Sequence, residues 1–523
     1  MIEPDNRIND VTSDTPRALV GIGGDLESEF IDDWSWEVGF LYTKNTVDNL
    51  NRNSIPDYRM QQAFNGLTRL GDGSLTWDPN TAQEERVYYN WFGTNEQAFT
   101  DFLAVENPNV ASLEYRSFDV NTSGQIPALQ LPGGPVSFSA GAERRMEDFA
   151  NVKTDLNATG MILGGSEGTS SFGNRSLNSI YAEVMLPVLD QVELQLAGRW
   201  EDYSDDGFES DIRPKIGVLY RPFEWLSVRG SYSESFKAPD LAYLFTASQT
   251  SFTSTQIIDP VTGTSIDQLQ IVTAGNQDLQ PEISDTYYVG LTFEPTGKFE
   301  GLRLFFDYLE WDQDDLLAQL SDFFGYAEFL TEAAAGNPTF ANAVVRDSVS
   351  NEVLFIRDDY ANISTGSYIG YDFGASYSLP TEFGDWYFQW NGTYIREQLI
   401  DGDDIVGNYL SPEWRHTVSM NYNYGDWAAN LLGVYIDGHS RSLSFGSIYG
   451  SGDTLFLTYD VDEQIVLNGS VSYSGLWNTK ITLGVNNLLD EEPPVDPFQG
   501  AGFTPGVSLP EPAFWYLRFE RDF

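Results

Sequence analysis

Apolar and polar residues alternate with period two along most of this chain. From Trp34 the even positions read Trp34, Trp36, Val38, Phe40 and Tyr42, against Ser35, Glu37, Gly39, Leu41 and Thr43. Val192, Leu194, Leu196, Gly198 and Trp200 interleave with Glu193, Gln195, Ala197, Arg199 and Glu201. Ile465, Leu467, Gly469, Val471 and Tyr473 interleave likewise with Val466, Asn468, Ser470 and Ser472. Successive strand residues point to opposite faces, so each run predicts a strand with one greasy and one wet face. About 17 such segments of about ten residues occur, the length a strand tilted by about 45° needs to cross a bilayer core. No apolar stretch approaches the ~18 residues of a spanning helix.

The links between these segments alternate in length. Short links rich in Pro, Gly and Asp fall near 187–191, 222–225, 295–301, 380–385, at 425 and near 475–478. Between them lie long links at 48–110, 149–175, 238–281, 314–362, 398–412, 439–462 and 489–512, with a medium one at 204–210. Outer-membrane barrels sort their loops in this way, with tight periplasmic turns and long extracellular loops, whereas soluble sandwiches do not. With the long loops outside, the last strand (513–523) and the first segment (18–26) both run inward. Single-chain bacterial barrels have even strand numbers with both ends in the periplasm, which implies an odd number of strands upstream. The N-terminus also lacks the basic and apolar regions of a secretory signal. The chain is therefore expected to be the C-terminal part of a longer precursor.

Composition narrows the function classes. There are 28 Lys+Arg and 78 Asp+Glu, so the formal charge is 28 − 78 = −50, which excludes a nucleic-acid binder. Only 20% of residues are charged while 14% are aromatic, a composition that folds rather than one that stays disordered. With no Cys, disulfide scaffolds, thiolate zinc sites and thiol catalysis are all excluded. Acidic clusters at Glu201, Asp202, Asp205 and Asp206, at Asp312, Asp314 and Asp315, at Asp401, Asp403 and Asp404, and at Asp490, Glu491, Glu492 and Asp496 match no EF-hand spacing and read first as solvated loop charge, with loop Ca²⁺ or a divalent bridge to lipopolysaccharide phosphate as the alternative. Pairing about the turn at 425 sets His416 opposite position 434. His439 then lies about 15–17 Å away, too far for a shared metal. Gly164-Gly-Ser166-Glu-Gly168 has the form of a nucleophile elbow, but that device needs a helix after the Ser, and residues 163–171 form a Gly/Ser-rich loop. No enzyme, cofactor or metal site is expected.

Three motifs carry a resemblance. Ser233-Glu-Ser-Phe-Lys-Ala-Pro239-Asp-Leu241 opens a long loop, Asn276-Gln-Asp-Leu-Gln-Pro281-Glu282-Ile-Ser284 leads into the next strand, and Asn487-Leu-Leu-Asp490 precedes the last loop. In this order and spacing they resemble the S-x-x-F-x-A-P-x-L, N-x-x-L-x-P-E-x-S and N-L-x-D signatures of TonB-dependent outer-membrane receptors. The resemblance implies an all-β, transmembrane antiparallel barrel of the 22-stranded plugged type. About 17 of those strands would be present in residues 1–523, leaving five strands, the plug, the TonB box and the signal peptide outside the chain. It also implies a bacterial outer-membrane location, extracellular capture of a small nutrient and TonB-coupled import. Partners would be the TonB complex, outer-membrane lipid and lipopolysaccharide, and the assembly machinery that reads a terminal aromatic, here Phe523. The alternatives are a passive porin and a soluble β-rich enzyme. Siderophores, cobalamin, haem, oligosaccharides and nickel complexes all use this fold, and a fold does not name its cargo.

Taken from their own chemistry, Pro239 and Pro281 suit places where ladders end, and Glu282 suits a carboxylate that accepts loop N–H groups. Phe519, Leu517 and Trp515 share a face with Phe523. Lumen-facing ionic candidates from the alternation are Glu143, Arg145, Glu193, Arg199, Lys215 and Arg229, which would either meet a plug or hydrate the lumen. Loop aromatics Tyr243, Phe245, Trp311, Phe323, Phe324, Tyr326, Tyr449 and Phe456 are candidates for ligand stacking, with an interfacial girdle or loop packing as the plainer use. Their number leans the cargo toward a carbohydrate or another ring-bearing organic ligand rather than a bare anion.

Overall fold

The computed structural model describes residues 7–521 apart from 166, 206–209, 255, 323, 409–410, 446–454 and 498, with backbone alone at 442–445 and 455–456. One antiparallel sheet of 19 strands dominates it. Ile8–Asp14 and Arg17–Leu26 both pair with Asp32–Ser54 and act as one strand, interrupted at Thr15-Pro16 where proline has no N–H for the ladder. The two-residue piece Asp403–Asp404 belongs to a loop. Setting both aside leaves 19 − 2 = 17 long strands, each hydrogen-bonded to its neighbour in sequence.

The links alternate in length, except that 204–210 on the long-loop side is no longer than 294–301 on the short side. Short turns such as Pro132-Gly133 and Trp477-Asn478 face long loops at 55–104, 154–170, 238–281, 319–360, 401–413, 437–463 and 487–513. Trp477 and Asn478 have φ of 48° and 54°, the paired positive values of a type I′ hairpin turn. Some strands outrun the bilayer: Val105–Leu131 has 27 residues and Asp32–Ser54 has 23. The loop expected over 48–110 thus shrinks to 55–104, because Asp48 to Ser54 continue the ladder with polar residues on both faces, where period two gives no contrast. Of the described residues, no helix is long and apolar enough to cross a membrane.

One face of the sheet exposes Ile180, Leu196, Ile216, Leu291, Phe306, Val418, Leu483 and Leu517, while the intervening positions carry Tyr181, Arg199, Lys215 and Asp307. Aromatic belts flank the greasy band. Phe223 stacks on Trp225 (4.8 Å) and Trp427 meets Tyr473 (4.7 Å) near the short turns. Tyr394 meets Trp414 (4.4 Å) near the long loops. His416 sits in this second belt against Trp414 and Tyr435. It pairs with Tyr435 rather than residue 434, because the hairpin turns over two residues, Gly425 and Asp426.

The last motif staples the final loop. Asn487, only 1% exposed, has the left-handed φ of 50° that Asn tolerates better than other side chains. Its amide donates to the carbonyls of Glu491 and Glu511 and accepts from the Glu491 N–H. Asp490 accepts from the Ala513 N–H. Asn487→Ala is expected to lower stability by about 2–3 kcal/mol, since it orphans buried groups and strains the backbone. The readout is the temperature at which the folded barrel loses its fast migration in semi-native gels; an unchanged transition would remove Asn487 from this role.

Candidate ligand site

The other two motifs form the joint at which loop 238–281 meets the wall. Arg175, on the inner face of Ser171–Leu189, donates through Nη1 to the Pro239 carbonyl (2.7 Å) and through Nε and Nη2 to Glu147 (3.0 and 2.7 Å). Pro239 ends the strand Leu226–Lys237, and the helix Leu241–Phe245 follows. Leu241 and Leu244 bury against Leu279 of the second motif. Asn276 donates its N–H to the Tyr243 carbonyl (2.8 Å) and its side-chain amide to the Tyr360 carbonyl (3.0 Å). Glu282 accepts from the Leu317 N–H (3.0 Å) and pairs with Lys237 (3.3 Å). Both ends of the loop are thereby fastened to the barrel. The structural role that the sequence suggests for Glu282 is the one it fills.

Three loops then fold together. Glu167–Gly168, Gln249–Phe252, Gln270–Thr273, Val353–Arg357 and Val344–Arg346 make one five-stranded sheet. Its core is Leu269, Ile271, Phe329, Leu330, Phe340 and Ile356, all buried. Arg346 clasps the fully buried Asp259 with two hydrogen bonds of 2.7 and 2.8 Å. That guanidinium, helped by Thr262 and the Val261 N–H and opposed by burial, holds the Asp259 carboxyl well below its ordinary value. A depressed carboxyl stabilises the folded form fully above its ordinary pKa of about 3.9 and loses that contribution as pH falls below it. Acidification from pH 5 to pH 3 is therefore expected to loosen this cap, and Asp259→Asn should show looser protease resistance already at pH 5. Equal resistance of the two proteins at pH 5 would contradict the clasp.

Within the cap, Tyr243 and Tyr360 hold their rings 4.5 Å apart at 47°. They line a cavity of about 350 Å³ with Thr246, Gln249, Thr250, Ser251, Thr273 and Gln319. On the other side of the helix Leu241–Phe245 lies a second cavity of about 410 Å³, which shares Ala242 and reaches the wall residues Tyr115, Glu147 and Arg175. A third recess, about 510 Å³, opens on the inner wall between Tyr181, Arg199, Arg213 and Lys215.

A wall of antiparallel strands with parity-sorted loops, fastened at the loop ends by these three motifs, has a counterpart among known families. The profile described as TonB dependent receptor-like, beta-barrel, matches residues 3–488. The chain belongs to this TonB-dependent receptor β-barrel family. Its place is the bacterial outer membrane, and the family and its structural neighbours are receptors rather than enzymes. A search of curated proteins gives no match. Among solved structures, the siderophore receptor PirA from Acinetobacter baumannii is 13% identical with a TM-score of 0.53, over 97% of this chain and 79% of that one. The ferric-catecholate import receptor Fiu from K12 E. coli is 15% identical with a TM-score of 0.53, over 97% and 64%. A mutant of the ferric enterobactin receptor PfeA from Pseudomonas aeruginosa is 13% identical, again at 0.53, over 98% and 79%. At these identities the likeness is one of fold. The chain spans less than two thirds of Fiu.

The receptor's loop aromatics divide. Tyr243 lines the cavity, whereas the Phe245 ring lies against the backbone of Gly173. Phe324 packs on Phe340 (5.2 Å) inside the cap, and Tyr326 donates to Asp358 (3.1 Å), its hydroxyl pushed up chiefly by burial. Trp311 stacks on Tyr368 (5.6 Å) on the inner wall. Phe323, Tyr449, Phe523 and the side chain of Phe456 lie outside the described residues. Of the ionic candidates, Glu143 pairs with Arg199 (3.2 Å), and Arg145 pairs with Glu147 (3.2 Å), which Arg175 shares. Glu193 pairs elsewhere with Arg221 (2.6 Å) and Arg229 with Asp307 (3.1 Å). Lys215 lines the inner recess and makes no ion pair among the described residues. Ser166 is outside the described residues, and the segment after it enters the cap sheet and then the strand Ser171–Leu189, with no helix. Sequence reasoning missed Arg175, whose inner-face parity with Tyr181 marked it, and Tyr360, which stands at the mouth of a loop. It also missed Gln249 and Thr250, for which no local signal exists.

Proposed function

We propose that this chain forms the wall and extracellular cap of a receptor that captures a small nutrient and imports it by TonB-coupled energy. The observation that carries the reading is the folded cap: three long loops share one sheet, and two of them, 238–281 and 319–360, share one core and line the cavity at Tyr243 and Tyr360 on the loop side of the wall. Loops that served only to connect strands would have no reason to bury a core of their own. In this reading the 17 strands belong to a 22-stranded wall around a plug. The inner-wall ion pairs of Glu143, Arg145, Glu193, Arg199 and Arg229, with Lys215, which makes no ion pair among the described residues, face that plug. Lipopolysaccharide covers the outer aromatic belt, and the assembly machinery reads the C-terminal aromatic Phe523. The printed names of PirA, Fiu and PfeA make ferric siderophores one cargo to test.

The test is uptake by cells that carry the intact receptor gene, its deletion, or the intact gene without TonB, offered labelled ferric siderophores, cobalamin and oligosaccharides. Accumulation of one cargo that needs both the receptor and TonB is the expected result. Accumulation that persists without TonB would make the protein a passive porin.

A further inference from the structure

We infer that the cavity lined by Tyr243 and Tyr360 selects an uncharged, polyhydroxylated ligand, of which the rings of a neutral oligosaccharide are the type, over an anionic metal chelate. The inference rests on the receptor reading above and narrows its cargo. No charged side chain lines the cavity, in a chain whose formal charge is −50. Its polar lining is hydroxyl and amide only: Thr246, Thr250, Ser251, Thr273, Gln249 and Gln319. Gln319 donates its amide to the Asp358 carbonyl (2.6 Å) and keeps its oxygen as an acceptor. The other five side chains, and the hydroxyls of both tyrosines, make no hydrogen bond to protein among the described residues. They are donors and acceptors at once, as sugar hydroxyls are, so each can meet a hydroxyl in either sense.

The surroundings disfavour an anion. Arg357 is committed to Asp359, and Asp359 accepts the Ala274 N–H (2.6 Å), so an acid lies directly behind the lining. Asp358 stands beside it and accepts from Tyr326. Lys153 lies against Gly168, on the strand next to Gln249, and is not part of the lining. Recognition of a carboxylate or catecholate calls for cations aimed inward, and none is present among the described lining residues. The mutually packed Tyr243 and Tyr360 rings instead give the lining an aromatic surface that ring C–H groups can meet. At about 350 Å³ the cavity is at the small end of ligand sites and suits one or two rings.

The experiment is calorimetric binding of maltose, cellobiose, xylobiose and chitobiose, and of ferric enterobactin, to the full-length receptor in detergent. One of the four sugars is expected to bind, with affinity falling at least tenfold in Tyr243→Ala and several-fold in Gln249→Ala, and staying within about threefold in Tyr243→Phe. Thr250→Val serves as a second probe, to be judged alone if the protease pattern shows that Tyr243→Ala has unfolded the cap. Binding by none of the sugars overturns the inference, as does sugar binding untouched by all the variants. Ferric enterobactin binding that is lost with the same substitutions overturns it too. The uptake reading fails on different grounds, when no cargo accumulates through TonB.

Discussion

Arg175→Met is expected to detach loop 238–281 from the wall and to cost about 3–5 kcal/mol, the usual penalty for breaking a buried ion pair from one side. The side chain is 8% exposed and that of its partner Glu147 is 14% exposed, so water cannot replace the lost contacts. Three of its N–H groups serve Glu147 and the Pro239 carbonyl, Asp205 stands 3.8 Å away, and the guanidinium lies over the Tyr203 ring at 5.3 Å. Methionine keeps the stem volume and removes every donor. Glu147 would then rely on Arg145 alone, and the Pro239 carbonyl would lose its partner at the point where the chain leaves the barrel. Because the helix Leu241–Phe245 starts two residues later, Tyr243 and the cavity should lose their position together. Arg175→Lys should recover only part of this, since an ammonium cannot span Glu147 and a carbonyl as a planar fork does. Limited proteolysis should show new cuts within 238–281, and the gel transition should fall. A variant with the wild-type cleavage pattern and a stability within about 0.5 kcal/mol would show that the joint holds without this residue.

The wall was legible because lipid enforces contrast. Wherever one face meets the bilayer, as at Val192 to Trp200, period two survives and fixes the register, since a slip of one residue would turn every polar side chain into lipid. Where strands rise past the bilayer that contrast disappears, and the boundary near Asp48 became unreadable. The cap was not legible, for two reasons. The loop helices are short: Asp57–Asn65 in loop 55–104 buries only Met60 and Ala63, and Tyr326–Ala334 in the cap only Phe329 and Leu330, too few positions for a 3.6-residue period to stand out. Its sheet joins Gln270–Thr273 to Val353–Arg357 in parallel, residues some 85 positions apart such as Ile271 and Ile356, and nothing local records that pairing. The candidate aromatics show the consequence. Phe245, Phe324 and Tyr326 are apolar loop residues because they pack the cap, and only the tertiary pairing decides that Tyr243 packs on Tyr360 in the wall of a cavity. Pro239, Pro281 and Glu282 were readable, because the chemistry of ending a ladder is local.

Asp496→Ala is expected to release the hairpin formed by His439–Phe445 and Leu455–Val461 from the final loop, at a cost of about 3 kcal/mol or more. Asp496, which the sequence places in a solvated acidic cluster, is instead fully buried, and its carboxylate accepts from Arg441 (2.9 Å), from the Thr504 hydroxyl (3.1 Å) and from the Tyr459 hydroxyl. Thr504 also meets Nε2 of His439 at 3.2 Å, which carries the web to a titratable ring that is only 5% exposed. Burial is the largest influence on that ring and holds its pKa below the ordinary value; Asp496 pulls the other way and Arg441 adds to the burial effect. The released hairpin therefore binds more protons than the docked one as pH drops below about 6.5, so docking is strongest above that pH and weakens as pH falls through the window below it. Hydrogen exchange along 455–461 should accelerate between pH 7.5 and pH 5.5 after correction for the intrinsic rate. His439→Gln, which keeps a side-chain donor without the titration, should flatten that dependence. Asp496→Ala should exchange rapidly at both pH values, because the web is already broken. Exchange that is equally slow at both pH values in the unaltered protein would mean that His439 stays neutral and docked across the range, and the release would then depend on Asp496 alone.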